Sequence, residues 1–287
     1  MSIFFQQLIN GVILGSVYAL MALGLTLIYG ILHVPNFAHG MIYMLGAYVS
    51  FFLVVDYQLN FFAAVGLSMI IMAGLGVVIE RVFFRPVQGA SPINAFIAAL
   101  ALLIILENGA VLLWGAEFRK FPPLLDQQVS FWGISITLQR LLMTVATALI
   151  ILVLHLFVQK TLVGRTIRAV GQDREAALLL GVSPNRVGSV IFALGSALAA
   201  AAGSLIGPIF LVHPHMGMAP LLKAFAVIIL GGMGSIPGAI LGGLILGVFE
   251  GLGAGYISAE YKDLFAFGTM VAVLSVKPSG LFGRGEK

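Results

Sequence analysis

Long apolar runs separated by short polar breaks set the pattern of this sequence. The first run extends from Ile3 to about Leu32 and is interrupted by Asn10, Gly11, Gly15 and Gly24. It is longer than one crossing needs, so tilt or bending is expected. HVPNFAHG follows. Pro35 and Asn36 break the helix there, and His33 and His39 flank the break. Further apolar runs cover about 41–55, 61–82, 94–113, 138–158 and 187–206. A turn-rich loop with His213 and His215 leads to two stretches between Leu221 and about Leu252, divided by Gly231, Gly232, Gly234 and Pro237-Gly238. A last, short run lies at about 264–276. Runs near 20 residues match the thickness of a bilayer, and a helix satisfies its own backbone there. The pattern predicts an all-α, polytopic transmembrane helical bundle of eight or nine spans, forming one domain over residues 1–287.

One long segment departs from this pattern, Lys160 to Arg186, KTLVGRTIRAVGQDREAALLLGVSPNR. It sets Lys160, Arg165, Arg168, Arg174 and Arg186 against Asp173 and Glu175. Inside it is a short helix signal. Gln172 or Asp173 can cap it, Glu175 lies in the first turn, and Gly181 stops it before Ser183-Pro184. Ala176, Leu179 and Leu180 fall on one face. A helix of about two turns is too short to cross a bilayer, and this one is too apolar on one side to stand bare in water. It calls for a groove on a partner protein; a connecting loop with an interfacial helix is the plainer alternative. Residues 115–137, with Arg119, Lys120, Pro122, Pro123 and Trp132, are too polar to span.

Composition fixes the class. Hydrophobic residues are 60%, charged residues 9%, and mean hydropathy is +1.10, against about 25% charged residues in soluble domains. There is no cysteine, hence no disulfide or thiolate site. The net charge of +4 reflects basic residues beside apolar spans, which orient a chain in the membrane and do not point to nucleic acid. If spans alternate, ten of the 15 basic residues share a side with segment 160–186, four (Arg119, Lys120, Arg140, Lys262) lie opposite, and Lys223 lies in a span. The expectation is a cytoplasmic segment 160–186, a cytoplasmic C-terminus and, for nine spans, an outer N-terminus. MSIFFQQ has neither a basic n-region nor a cleavage site, so the first run reads as a retained span.

Candidate chemistry is sparse. No Gly-x-x-x-x-Gly-Lys-Ser/Thr string occurs, so no phosphate loop is expected in this chain. Neither His33/His39 nor His213/His215 has helical ligand spacing, and no metal site is expected. No catalytic nucleophile–base arrangement is visible. Glu107 and Asn108 lie deep in the fourth run, and Lys223 and Glu250 lie in the two stretches between Leu221 and Leu252. Such groups line a path for a zwitterionic solute or pair between helices. Asn36 and His39, at the broken helix, carry the same two readings, ligand site or turn. The series Gly234, Gly238, Gly242 and Gly243, Gly247, Gly251 predict close helix contacts, as does ALGSALAAAAGSL in the sixth run.

GLTLIYGILHVPNFAHGMIYMLGAY, RAVGQDREAALLLGVSPNR, GGMGSIPGAILGGLILG and KPSGLFG together resemble the LivH-type permeases of branched-chain amino acid ABC transporters. The resemblance covers nearly the whole chain, in the expected order. It implies one of two membrane subunits of a bacterial inner-membrane importer for leucine, isoleucine and valine. The expected partners are a second related permease, two cytoplasmic ATP-binding subunits that hold ATP and Mg, and a periplasmic binding protein that supplies selectivity. No cofactor is expected in this chain, and it is not expected to be an enzyme. Residues Gly171 to Pro184 correspond to the loop that docks on the ATPase, with Arg174, Glu175, Ala176, Ala177, Leu178 and Gly181 in the contact helix. Leu179 and Leu180 join them from the apolar-face argument. Urea, amides or other amino acids are alternative solutes in the same family; an ion-coupled secondary transporter is the alternative class.

Overall fold

The computed structural model describes residues 2–32, 36–88, 91–122, 127–131 and 134–283. His33, Pro35, Pro123 and Trp132, singled out above, lie outside the described residues, as do the basic Arg284 and Lys287. The elements in chain order are α1 (Ser2–Leu32), α2 (His39–Val55), α3 (Phe61–Ile79), α4 (Pro92–Trp114), β1 (Gln128–Phe131), β2 (Ile134–Thr137), α5 (Leu138–Lys160), α6 (Leu162–Gln172), α7 (Arg174–Leu179), α8 (Pro184–Ile206), α9 (Met218–Gly231), α10 (Ile236–Tyr256) and α11 (Lys262–Val276). Six of these helices, α1, α3, α4, α5, α8 and α10, are long and apolar enough to cross a membrane. α2 and α9, of 17 and 14 residues, are apolar but shorter, and α11 has 15 residues. The same nine apolar runs read from the sequence are therefore nine helices.

α1 and α8 form the centre, with 83% and 78% of their spans buried inside the chain, whereas only 22% of α4 and of α5 is. Small residues make this possible. Gly11 and Gly15 of α1 lie against the backbone of Gly247 and Gly243 of α10, and Gly24 of α1 lies against Gly195 of α8. Gly76 of α3 receives Ser196 of α8, and Gly46 of α2 meets Ala200. Ser68 and Ser204 both donate to the Gly46 carbonyl, at 2.9 and 3.0 Å, stitching α3 and α8 onto α2. These contacts bring backbones close, the form of packing available where lipid offers no hydrophobic drive between helices.

Three local features differ from the sequence reading. Residues 115–137 contain a β-hairpin in which Gln128 pairs with Thr137 and Phe131 with Ile134, so the fold is not strictly all-α. Each strand has only four residues, too short to give a readable period. The third span ends in a π-turn, Glu80–Phe84, followed by a 3-10 turn, Arg85–Val87. Segment 160–186 contains two helices, α6 and α7, where one was expected.

The two ends of the bundle are distinct. At one end Gln6 exchanges two hydrogen bonds with the Ser135 backbone of the hairpin, and Arg119 pairs with Val212 of the α8–α9 loop. The other end carries α6, α7 and the α3–α4 turn. The α9–α10 turn also lies against α1 at its far end, at Gly30, and there Leu281 and Phe282 of the tail donate to the Leu230 and Gly231 carbonyls.

Candidate functional site

α6 is amphipathic. Thr161 accepts from Gly164 N as its N-cap, and Gly164, Ile167 and Val170 face inward. Asp173 then caps α7, its Oδ1 accepting from Glu175 N and Ala176 N at 2.9 Å each. At the other end Gly181 N donates to Leu178 O and Val182 N to Ala177 O. This double closure needs a left-handed residue, and Gly181 has φ +80°. The caps fix a helix too short to be stable by its own backbone.

The exposed apolar face is Leu178, Leu179 and Leu180, at 58%, 88% and 83% exposure. Arg174, Glu175, Ala176 and Gly181 are exposed as well. Ala177 is a correction: it is 2% exposed and faces the chain's own core. A helix this short, capped at both ends, turns one side to the bundle, and the side it turns holds Ala177 with the first residue beyond the cap, Val182. Arg174 Nη2 lies 3.5 Å from Gln88 Oε1 of the α3–α4 turn.

That turn holds a site the sequence reading passed over, lying at the end of the third apolar run. The Glu80 side chain is fully buried and is gripped by Arg85, Nε to Oε1 at 3.0 Å and Nη2 to Oε2 at 2.7 Å. Ser189 Oγ, in the first turns of α8, donates to Glu80 Oε2 at 2.8 Å, and Arg85 Nη2 also reaches Asn185 O at 3.2 Å. The only sequence signal was a carboxylate and a guanidinium five residues apart at a span end.

Towards the hairpin end, Lys223 of α9 is held by Glu250 Oε1 of α10 at 2.6 Å, Asp263 Oδ1 of α11 at 3.0 Å and Tyr18 OH of α1 at 3.1 Å. This pairs Lys223 and Glu250, as the interhelical reading expected. Glu107 Oε1 lies 2.6 Å from His215 Nδ1. Asn108 is exposed on α4 and donates to Ile104 O at 2.9 Å. His39 is fully buried with Nε2 3.3 Å from Met21 O, and Asn36 is fully buried with no side-chain hydrogen bond among the described residues. The four path candidates thus fall in two places: Asn36 and His39 at the buried start of α2, Glu107 and Asn108 on the outer part of α4. Beside His213 and His215 lies a cavity of about 320 Å³ between α1, α2, the α8–α9 loop and α9. Burial and the neighbouring His215 hold the His213 pKa below the usual histidine value. Among the described residues no three His, Cys, Asp or Glu side chains converge as a metal site.

The family described as "Branched-chain amino acid transport system / permease component" matches residues 7–274. The high-affinity branched-chain amino acid transport system permease protein LivH of Salmonella typhimurium is 41% identical, over 99% of this chain and 96% of that protein. BraD of Pseudomonas aeruginosa, named for the same kind of system, is 38% identical over 99% and 97%. The permease protein LivM of Salmonella typhimurium is 26% identical over 92% of this chain and 67% of its own length. Among solved structures, PsaBC from Streptococcus pneumoniae in complex with Fab is similar in fold, with TM-score 0.50 and 14% identity over 97% of this chain and 94% of that one. By the family match and by near-full-length identity of about two residues in five, the chain belongs to the permease family of branched-chain amino acid transport systems.

Proposed function

We propose that this chain is a membrane-spanning subunit of an ABC importer that moves leucine, isoleucine and valine across a bacterial inner membrane. In this reading a periplasmic protein delivers the solute, and ATP is hydrolysed in two cytoplasmic partner subunits, not in this chain. The observation that carries it is the apolar tip Leu178–Leu180, held out on a doubly capped helix between two spans. Three exposed leucines on a rigid two-turn element suit an apolar groove, and motion imposed there passes directly into α8 and, through α6, into α5. The relatives' names, which specify branched-chain amino acid transport, supply the solute. The existence of both LivH and LivM among the relatives supports a second, related permease as partner.

α6 and α7 are then cytoplasmic, with the tail beyond α11 on the same side and the start of α1 outside, consistent with the bias of basic residues. Ionisable groups at membrane depth face water or protein. Glu107 and Asn108 sit among exposed Ile104, Ile105, Leu112 and Leu113. This face of α4 is therefore assigned to the second permease and the solute path between them, with Asn36 and His39 as path candidates at the broken helix.

The test is uptake in vesicles containing the chain with its co-expressed partners. Labelled leucine, isoleucine and valine should accumulate with ATP and persist when ion gradients are collapsed at constant ATP; urea should not accumulate. Uptake that follows the ion gradient and ignores ATP would favour the secondary-transporter class.

A further inference from the structure

The cavity under the α8–α9 loop has a one-sided chemistry. Its volume, about 320 Å³, lies at the lower end of the roughly 300–1,000 Å³ typical of small-molecule pockets. Leu14, Val17 and Met21 of α1 form an apolar wall, continued by Met216 and Phe210 of the loop. Its basic lining side chains are Lys223, Lys262, His213 and His215, of which Lys223 is paired with Glu250 and Asp263 and His215 with Glu107. Among the described residues no aspartate or glutamate lines it. The carboxylates that neutralise Lys223, Glu250 and Asp263, are off the wall; Glu250 and Tyr18 OH accept hydrogen bonds from that ammonium, and Asp263 pairs with it at 3.0 Å. Lys262 differs: it is exposed and makes no ion pair among the described residues.

We propose that this cavity is a solute-docking site for a carboxylate carried on a compact aliphatic body, with Lys262 meeting the carboxylate and Leu14, Val17 and Met21 receiving the aliphatic part. That such a solute is the one transported rests on the reading above; that the cavity binds it does not. Lys262, the lining cation with no ion pair among the described residues, selects the anionic end, because a carboxylate there meets its free charge whereas an ammonium would add a like charge beside it. The apolar wall selects against a purely polar anion. The site requires the carboxylate and not the amino group, which separates it from a pocket that reads the whole zwitterion.

The experiment uses the assembled complex in neutral phosphatidylcholine nanodiscs, without binding protein or nucleotide, and ligand-observed saturation-transfer NMR. Leucine and 4-methylpentanoate should both bind saturably, and 3-methylbutylamine should not. Lys262→Ala should weaken both acids about tenfold, the loss of one charge-assisted hydrogen bond. Ala219→Phe, at an exposed position on the cavity edge, should remove the signal by filling the space. Co-purified ATPase should be unchanged in both variants, which excludes misfolding. Equal binding of the amine, or acid binding unaffected by both variants, overturns the proposal. So does displacement of leucine by phosphatidylglycerol at trace mole fraction, which would assign the pocket to an anionic lipid. Leucine uptake is measured separately: normal uptake by a complex whose cavity binds nothing would sink the docking site and leave the permease reading standing.

Discussion

Arg85 grips Glu80 with two nitrogens, the shorter contact 2.7 Å, while Ser189 of α8 closes the same carboxylate at 2.8 Å. The pair ties the foot of α3 to the first turns of α8, just beyond α7. Removing one partner of a buried ion pair strands the other charge, at a cost of about 3–5 kcal/mol for a fully buried pair. Arg85 is partly exposed, so Arg85→Ala should destabilise by about 2–3 kcal/mol. Ser189→Ala should cost about 1 kcal/mol. Denaturant midpoints of the purified chain in detergent check both, and equal midpoints for Arg85→Ala and wild type would show the clamp to be dispensable.

The glycines divide into two groups. A side chain at Gly247 would meet the backbone of Gly11 and Gly15, and one at Gly238 would meet Gly231. A side chain at Gly66 or Gly74 of α3 would meet nothing within 4 Å. Gly247→Leu and Gly238→Leu should therefore abolish the monodisperse protein peak in size-exclusion chromatography. Gly66→Ala and Gly74→Ala should elute normally, with stability unchanged or raised by up to about 1 kcal/mol through helix propensity.

The sequence made the spans legible because each is a long, predominantly apolar run bounded by polar breaks, and α7 legible because Asp173 and Gly181 are local capping signals. It placed Gly234, Gly238 and Gly242 in one series. In the structure Gly238 and Gly242 face α9, Gly234 sits in the turn with φ +81°, and the neighbouring series Gly243, Gly247, Gly251 faces α1. Fourfold spacing marks a face but not its neighbour. The same limit hid the inward turn of Ala177 and the Glu80–Ser189 contact, which joins residues 109 apart. The cavity at Lys262 depends on five helices and the α8–α9 loop meeting and has no local signature.

Lys223 and Glu250 give a test of how a paired charge is held in the bundle. Glu250→Gln leaves an ammonium in the protein with Asp263 and Tyr18 alone, and Lys223→Met leaves Glu250 buried. Each single change should cost about 3–5 kcal/mol, and the double variant Lys223→Met, Glu250→Leu should cost less than either. A thermodynamic cycle in detergent reads the coupling directly; additive losses would mean the two charges are solvated independently.

The central claim is that α7 is where a partner drives this chain, and co-purification of the ATPase with paired α7 variants tests it most directly. Leu179 and Leu180 point away from the chain, so Leu179→Asp and Leu180→Asp should leave the permease itself as stable as wild type. Each leucine buried in a groove contributes about 1.5–3 kcal/mol, and a buried unpaired carboxylate adds a further cost. Both variants should lose the ATPase on detergent extraction, and with it leucine uptake. Ala177→Asp should instead destabilise the permease, because its side chain faces inward. Arg174→Ala, losing a 3.5 Å contact to Gln88 and any exposed ion pair worth under about 1 kcal/mol, should retain most of both. If Leu179→Asp and Leu180→Asp co-purify with a normal amount of ATPase and transport leucine at the wild-type rate, α7 is not the coupling element and the account fails.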